Sequence, residues 1–434
     1  MTRLITALLL IACMPGHALS EETSHRVFTL AEAVEIALRH NPSIKEADAG
    51  REGALADIKG ARADFFPRAS SQYNYMRRAD QPFQRISGVE RFVGDENAHH
   101  WDVSLTQPLF TGFALTSKKE MAEIAADMQV LEGERAAINV SQDLRIAWFE
   151  TLFTERIGEV AEENTVALNS HLNNAQGFFN QGIISRNDLL KAEVALAQAR
   201  QQEERASADI EIARSRLTTI LGVEIPADYR MEDIKAITPV PLELTDLTAE
   251  ALSNNPVLKS FRLGLARYDS SITLAKSTAY PTVALVGQYE QNGDDPGAVN
   301  NSYANDHNAA LVLTAKWDFY DWGKTSAGVA RQEAEKKGLA EKTRAMEDQI
   351  RLEVKRAYFD LHVAETNIGT ARQGLDQARE NWRITELQYQ NQVATSTDVL
   401  DSRTLLTEAE SNYYSALYGY RIALAQLERA VGRK

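Results

Sequence analysis

Gly182-Ile183-Ile184-Ser185-Arg186-Asn187-Asp188-Leu189-Leu190 recurs 210 residues later as Gln392-Val393-Ala394-Thr395-Ser396-Thr397-Asp398-Val399-Leu400. In both segments a hydroxyl residue precedes an aspartate and two apolar residues, which is typical of a turn that leads into a helix. A segment that recurs at so large a distance indicates an internal duplication, not a solenoid of short repeats.

The match extends over most of the chain at nearly constant spacing. In the first block the spacing is 214 residues, and after a slip of four residues it is 210. The matched pairs are Asn41-Pro42 with Asn255-Pro256, Pro67 with Pro281, Tyr75 with Tyr289, Ala147 with Ala357, Phe149 with Phe359, and Gly222 with Gly432. We therefore predict two similar repeats, residues 30–222 and 244–432, joined by a linker over 223–243.

Residues 1–20 have the pattern of an export signal peptide. Arg3 precedes an apolar run over 4–13, and Ala18-Leu19-Ser20 fits a cleavage site. The alternative is a lipoprotein signal, which would leave an acylated Cys13. Because Cys13 is the only cysteine of the chain, cleavage after Ser20 would exclude disulfides, thiol catalysis and cysteine-metal sites.

The charge and hydropathy of the chain exclude two further classes. The formal net charge is −14, and an acidic chain is a poor ligand for nucleic acid, whose phosphates need clustered positive charge. After the signal, no apolar stretch approaches the ~20 residues of a spanning helix. An exported chain of this kind is either soluble or a membrane β-barrel.

Proline placement predicts very long helices. No proline occurs between Pro108 and Pro226 or after Pro296, and proline breaks helix interiors. We predict long helices over 115–181, 187–221, 324–391 and 397–431. Seven-residue apolar series such as Val399, Leu406, Tyr413, Tyr420 and Leu427 indicate that the shorter two pack as coiled coils.

Four segments alternate with period two, which predicts strands near 67–76, 100–110, 281–290 and 309–319. Each has about the 9–11 residues that cross a bilayer as a tilted strand, but a soluble hairpin sheet would alternate in the same way. Open strand edges are not tolerated in lipid, and known barrels need at least about eight strands. In a membrane the chain must therefore oligomerise, and a trimer would supply twelve strands.

The chain resembles the TolC-like outer-membrane factor family. The resemblance is carried by Ala33-Val34-Glu35-Ile36-Ala37-Leu38 before Asn41-Pro42, by Gln107-Pro108-Leu109-Phe110-Thr111-Gly112 with its echo Phe319-Tyr320-Asp321-Trp322-Gly323, and by the two turn segments quoted first. It implies an α+β membrane protein, a homotrimer in which a twelve-stranded transmembrane β-barrel, four strands per chain, continues into a long periplasmic α-helical coiled-coil barrel.

The function that this resemblance implies is that of an exit duct in the bacterial outer membrane, with a large periplasmic part. Such a duct serves a tripartite efflux pump or a type I secretion system, and it is passive. The implied partners are a periplasmic adaptor (membrane fusion) protein, an inner-membrane pump of RND or ABC type and outer-membrane lipid, with no nucleic acid. No cofactor and no metal site are expected, and nothing resembles a nucleophile elbow or a phosphate loop.

The family pattern also assigns a gate and a docking tip. Asp398 and Asp401 match aspartates whose three-fold ring narrows the closed duct, and Tyr389 and Asp188 match residues that tie the closed state by hydrogen bonds. Crowding of the ring should raise some of the aspartate pKa values; the alternative is that Asp188 and Asp398 only cap helices. The adaptor-docking tip is assigned to Gly182, Ile183, Ser185, Arg186, Gln392, Val393 and Thr395.

Two positions depart from the family pattern. Ala394 stands where an arginine is expected, so one closing link is missing or is replaced by Arg186. Gln392 stands where the turn glycine is usual. The main alternative to a duct is a soluble periplasmic coiled-coil scaffold or adaptor, although adaptors usually carry lipoyl-like modules that are absent from this sequence. His99-His100 could bind a metal, but no third ligand has recognisable spacing.

Overall fold

The structure is a computed structural model that describes residues 26–225, 229–234 and 242–433. The expected signal peptide over 1–20, with Cys13, lies outside the described residues. Residues 226–228 and 235–241 of the linker predicted over 223–243 lie outside them as well.

The two halves of the chain contain the same four helices. The first half has α1 (Leu30–His40), α2 (Pro42–Ala63), α3 (Ala114–Asn180) and α4 (Arg186–Leu221), and the second has α5 (Leu244–Asn254), α6 (Pro256–Ser277), α7 (Lys324–Gln390) and α8 (Ser396–Val431). In both halves the helices have 11, 22, 67 and 36 residues in that order. At 1.5 Å per residue, α3 and α7 are each about 100 Å long. No helix within the described ranges is both long and apolar enough to cross a membrane.

The Asn-Pro pairs separate the first two helices of each half. Asn41 ends α1 and caps α2, where its Oδ1 accepts a hydrogen bond from the Ser43 N–H at 2.8 Å and Pro42 occupies the first turn. Asn255 does the same before Pro256, accepting from the Val257 N–H at 2.9 Å. Proline suits this position because its φ is already helical and it has no N–H to leave unbonded.

The strands are β1 (Arg26–Phe28), β2 (Arg68–Arg77), β3 (Phe83–Ile86), β4 (Val89–Phe92), β5 (Asn97–Phe110), β6 (Tyr229–Met231), β7 (Thr282–Gly293) and β8 (His307–Lys316). Four of them form one antiparallel sheet in the order β2-β5-β7-β8. The pairing of β5 with β7 joins the hairpin of the first half to that of the second. β2 and β8 are therefore the two edges of the sheet.

The register gives this sheet one apolar and one polar face. Leu105, Gly287 and Leu311 lie side by side in one row, and Leu285 pairs with Leu313 in the next row of the same face. The opposite face carries the row Gln72, Asp102, Glu290 and Asn308. The apolar face is open in the single chain, where Leu311 is 74% exposed and Leu313 is 64% exposed.

Two strand pairs lie outside the four predicted strands. The β3–β4 hairpin lies between the first two predicted strands and turns at Ser87 and Gly88 with φ values of 53° and 80°. Positive φ at both central residues defines a tight hairpin turn, and Gly88 adopts it without steric cost. The other pair is parallel, β1 with β6 of the linker.

One core of buried residues lies where the short helices pack on the long ones. Trp148 of α3 is 1% exposed and packs with Leu144, Leu217, Leu221 and Tyr418. The linker contributes Asp233, whose carboxylate accepts from Arg156 and from the Tyr418 hydroxyl at 2.9 Å. Burial works against this charge, but Arg156 and the Ile234 N–H outweigh it and hold the pKa of Asp233 below its usual range. The linker is thus tied to both halves.

Candidate functional site

The two long hairpins turn at neighbouring points, which together we call the tip: residues 181–185 between α3 and α4, and 391–395 between α7 and α8. The turns have the same design. Ser185 Oγ accepts from the Asp188 N–H at 3.3 Å, and Thr395 Oγ1 accepts from the Asp398 N–H at 3.2 Å. Lys191 Nζ of α4 donates to Thr397 Oγ1 of α8 at 3.1 Å, so the two hairpins touch here.

The turn glycine of the first hairpin is replaced by glutamine in the second. Gly182 has a φ of 76° and Gln392 a φ of 63°, both in the left-handed region. This region brings the Cβ of an L-residue too close to the backbone, so Gln392 holds the same turn at a steric cost. The departure from the family pattern therefore changes the energy of the turn and leaves its shape intact.

We expect Gln392→Gly to stabilise the second turn by about 1 kcal/mol, because glycine adopts positive φ without that cost. The measurement is amide hydrogen exchange of the turn amides over 388–398. Gly182→Gln is the matched control and should weaken the first turn by a similar amount, since a Cβ at this position meets nothing within 4 Å. Equal exchange in wild type and Gln392→Gly would contradict the assignment of strain to Gln392.

The predicted gate aspartates do not share one environment. Asp398 accepts from the Thr395 N–H at 2.8 Å and from Thr395 Oγ1 at 2.7 Å, which completes a capping box. These bonds hold the pKa of Asp398 below its usual value in the single chain, opposite to the increase predicted for a crowded ring. Asp401 lies one turn further along α8 and is exposed. Asp398 therefore caps α8 and is exposed at the same time.

The hydrogen bonds expected of Tyr389 and Asp188 in the closed state remain a prediction, and within the single chain each residue has its own surroundings. Asp188 Oδ2 accepts from Ser185 Oγ at 2.7 Å, because it completes the cap of α4. Tyr389 is 3% exposed and packs against His171 and Phe178, and its hydroxyl has no hydrogen-bond partner among the described residues. Burial raises the pKa of Tyr389.

His171 and Ser396 form a link beside the tip that no pattern in the sequence indicates. His171 Nε2 of α3 lies 2.8 Å from Ser396 Oγ, at the first residue of α8, and both side chains are buried. The ring of His171 also packs on Tyr389, with centroids 4.8 Å apart. The link joins α3 to the second hairpin close to Ala394, where the family arginine is absent. Arg186, the suggested replacement, lies over the Phe179 ring at 5.8 Å.

This link should weaken on acidification. Burial lowers the pKa of His171 from 6.5 to about 4, so an opened or unfolded tip takes up a proton near the ordinary value and the closed tip does not. The contribution of the His171 contact to the stability of the closed tip is complete above about pH 6.5. It falls as the pH drops from about 6.5 to about 4, by ~3 kcal/mol in total. We expect faster amide exchange over 388–398 across this range. His171→Gln can still reach Ser396 but does not titrate, and persistence of the pH effect in this variant would contradict the role of His171.

The predicted docking residues are exposed at the tip or directly beside it. Val393 is 76% exposed and Ile183 is 42% exposed, so each turn presents one apolar side chain to solvent. Gly182, Ser185, Arg186, Gln392 and Thr395 are exposed as well. The tip therefore combines exposed apolar residues with polar turn residues.

The histidine pair considered as a metal site has other partners. His99 Nδ1 lies 2.7 Å from the Tyr73 hydroxyl, and His100 Nδ1 lies 2.6 Å from Asn292 Oδ1. Within the part of the chain that the structure describes, no three His, Cys, Asp or Glu side chains are grouped so that they could hold a metal ion.

Comparison with known proteins agrees with this architecture. Protein CyaE of Bordetella pertussis is 26% identical over 414 residues, which cover 92% of this chain and 81% of that protein. Outer membrane protein TolC of Escherichia coli is 21% identical over 418 residues, covering 93% and 82%. Among solved structures, the CmeC outer membrane channel of Campylobacter jejuni superposes with a TM-score of 0.78 at 13% identity, covering 98% of this chain and 94% of that chain.

The paired long hairpins and the four-stranded sheet thus define a chain with the TolC-like channel fold, mostly helical with a smaller sheet. The outer membrane efflux protein model matches residues 33–223 and 247–433, one match in each half. The chain belongs to the outer membrane efflux protein family. It is an exit duct for efflux or secretion in the bacterial outer membrane.

Proposed function

We propose that the working duct is a homotrimer that conducts substrates passively from an inner-membrane pump across the periplasm and the outer membrane. The observation that supports it best is the sheet, which has an apolar face and two open edges, β2 and β8. A single chain cannot bury these features, and open strand edges are not stable in lipid.

The strand directions suit closure between copies. All three pairings in β2-β5-β7-β8 are antiparallel, so β8 runs opposite to β2. When β8 of one copy lies beside β2 of the next, the antiparallel order continues. Three copies with four strands each give a barrel of twelve strands with cyclic symmetry. The row of Leu105, Gly287 and Leu311 would then face lipid, and the row with Asp102 and Glu290 would face the lumen.

The helices carry the duct into the periplasm in this proposal. Helices about 100 Å long reach far from the sheet, and the tip would lie at their far end. There Asp398 and Asp401 of three chains would form a carboxylate ring that attracts cations. Ile183 and Val393 would offer apolar contacts to a periplasmic adaptor protein, which couples the duct to an inner-membrane pump of RND or ABC type.

Fractionation and conductance test the proposal together. We expect the protein in the outer-membrane fraction, extracted only by detergent, and we expect discrete conductance steps after its addition to a planar lipid bilayer. A protein that stays soluble without detergent and forms no conducting pore would instead match the alternative, a periplasmic scaffold or adaptor.

A further inference from the structure

A stripe of buried polar side chains lies on α8, where it packs against the other long helices, away from the tip. Arg403, Thr407 and Glu410 are spaced at intervals of four and three residues, so they lie on one face of the helix. Arg403 and Glu410 lie about 10 and about 20 Å from the start of α8. Arg403 and Glu410 are each only 5% exposed, and Thr407 is half-buried. Fully buried charges are rare in proteins unless they are paired.

This stripe contacts both neighbouring long helices. Arg403 Nε donates to Asn164 Oδ1 of α3 at 2.9 Å, and its guanidinium lies 5.6 Å from the ring centre of Trp382 of α7. Glu410 Oε1 lies 3.7 Å from Arg379 Nη2 of α7. Arg403 is thus the direct polar link between α3 and the α7–α8 hairpin at this level.

The stripe is only partly satisfied. Arg403 Nη2, Thr407 Oγ1 and Glu410 Oε2 are buried and have no hydrogen-bond partner among the described residues. A buried polar atom without a partner raises the free energy of the packed state, and an ionised carboxylate raises it more than a neutral one. Packing of α8 on α3 therefore depends on the charge of Glu410.

We propose that Arg403, Thr407 and Glu410 form a proton-controlled clasp between α3 and the α7–α8 hairpin, tight when Glu410 is protonated and looser when it is ionised. The groups that face Glu410 are Glu163 of α3, Arg379 of α7, and Arg403 and Tyr414 of α8. Two arginines favour the carboxylate, whereas Glu163 and burial oppose it.

The direction of the response follows from the balance of these effects. Burial is the largest of them and raises the pKa of Glu410 above its ordinary value in the packed state. The packed state therefore binds the proton more tightly than a separated state does. Acidification through the raised pKa tightens the clasp, and a rise in pH loosens it. At the tip, acid has the opposite effect through His171, so exchange in the two regions distinguishes the two groups.

Segment-resolved hydrogen exchange of the full-length protein in detergent tests the clasp. After correction for the intrinsic rate, we expect amides over 399–413 to exchange several-fold more slowly at about pH 5 than at about pH 7.5. Glu410→Gln is neutral at both values and should exchange slowly at both. Glu408→Gln changes an exposed glutamate of the same helix and should respond to pH as wild type does.

Three outcomes would overturn the proposal: no pH dependence in wild type over 399–413, the same dependence in Glu410→Gln, or its loss in Glu408→Gln. Should Glu410→Gln not fold, Thr407→Val provides a second test, because it removes an unpartnered hydroxyl at constant shape. It should slow exchange at both pH values and keep the pH response. Any effect on conductance rests on the proposed function, whereas the exchange results stand without it.

Discussion

Trp148→Ala is expected to lower the free energy of unfolding by about 3–5 kcal/mol, among the largest effects of any single substitution in this chain. The indole is 1% exposed and lies between α3, α4 and α8. Its ring is also 5.5 Å from that of Phe28, which belongs to β1, the strand that pairs with the linker. The substitution therefore leaves a cavity at the point where the helices and the linker meet.

Chemical unfolding of the detergent-extracted protein, followed by far-ultraviolet circular dichroism, measures this loss. Trp148→Phe refills most of the cavity and should lose clearly less. Trp322→Ala is the matched control for removal of a tryptophan, because Trp322 is 88% exposed. If Trp148→Ala unfolds at the same denaturant concentration as Trp322→Ala, the core is not centred on Trp148.

Asp398→Asn combined with Asp401→Asn is expected to weaken block of the duct by trivalent cations roughly a hundredfold. In the proposed trimer this change removes six carboxylates from one ring. Asparagine keeps the size of the side chain, and Thr395 Oγ1 still caps the backbone of α8. The measurement is the cation concentration that halves the current in a planar bilayer, at fixed salt because salt screens the ring.

Asp188→Asn is the control for this experiment. Asp188 caps α4 through Ser185 in the way that Asp398 caps α8 through Thr395, so it reports the effect of a weakened cap, together with that of any hydrogen bond that Asp188 makes in the closed state, without a change in the ring. We expect its block by cations to stay near the wild-type value. Unchanged block in the double variant, or an equal loss in Asp188→Asn, would contradict a carboxylate ring formed by Asp398 and Asp401.

The parts of the fold that depend on local chemistry are readable from the sequence. The proline-free stretches predict helices over 115–181 and 324–391, and α3 and α7 span Ala114–Asn180 and Lys324–Gln390. Period-two alternation predicts the two faces of the sheet, because side chains alternate in any strand. Asn41-Pro42 and Asn255-Pro256 mark helix boundaries through caps that involve only neighbouring residues.

The parts that depend on contacts between distant residues are not readable in this way. His171 and Ser396 are 225 positions apart, and no local pattern indicates that they meet. Arg403 lies between Val399 and Leu406 of the predicted seven-residue series, yet its own burial depends on Asn164 and Trp382 of other helices. The β3–β4 hairpin depends on positive φ at Ser87 as well as Gly88, and a serine in the sequence does not predict such a conformation.

Asp398 has a local role as a helix cap and a proposed role in the gate. The sequence pattern offers capping and gating as alternatives, and the structure shows that Asp398 caps α8 while it remains exposed. A carboxylate held ionised by its cap is also a carboxylate available to a ring of like charges. The two roles therefore do not compete, and only an assembly of several chains can display the second.

The mass of the detergent-extracted particle tests the central claim most directly. The account predicts three chains per particle by native mass spectrometry, because three sheets with open β2 and β8 edges close a barrel of twelve strands. The particle should fall apart when β8 loses its edge pairing, for example in Leu311→Pro. Hydrogen-bonded pairs alternate along β7 and β8, so the Leu311 N–H is directed to the open side of β8, and proline removes that donor. A particle of one chain, or a mass equal to any other number of chains, would contradict the account.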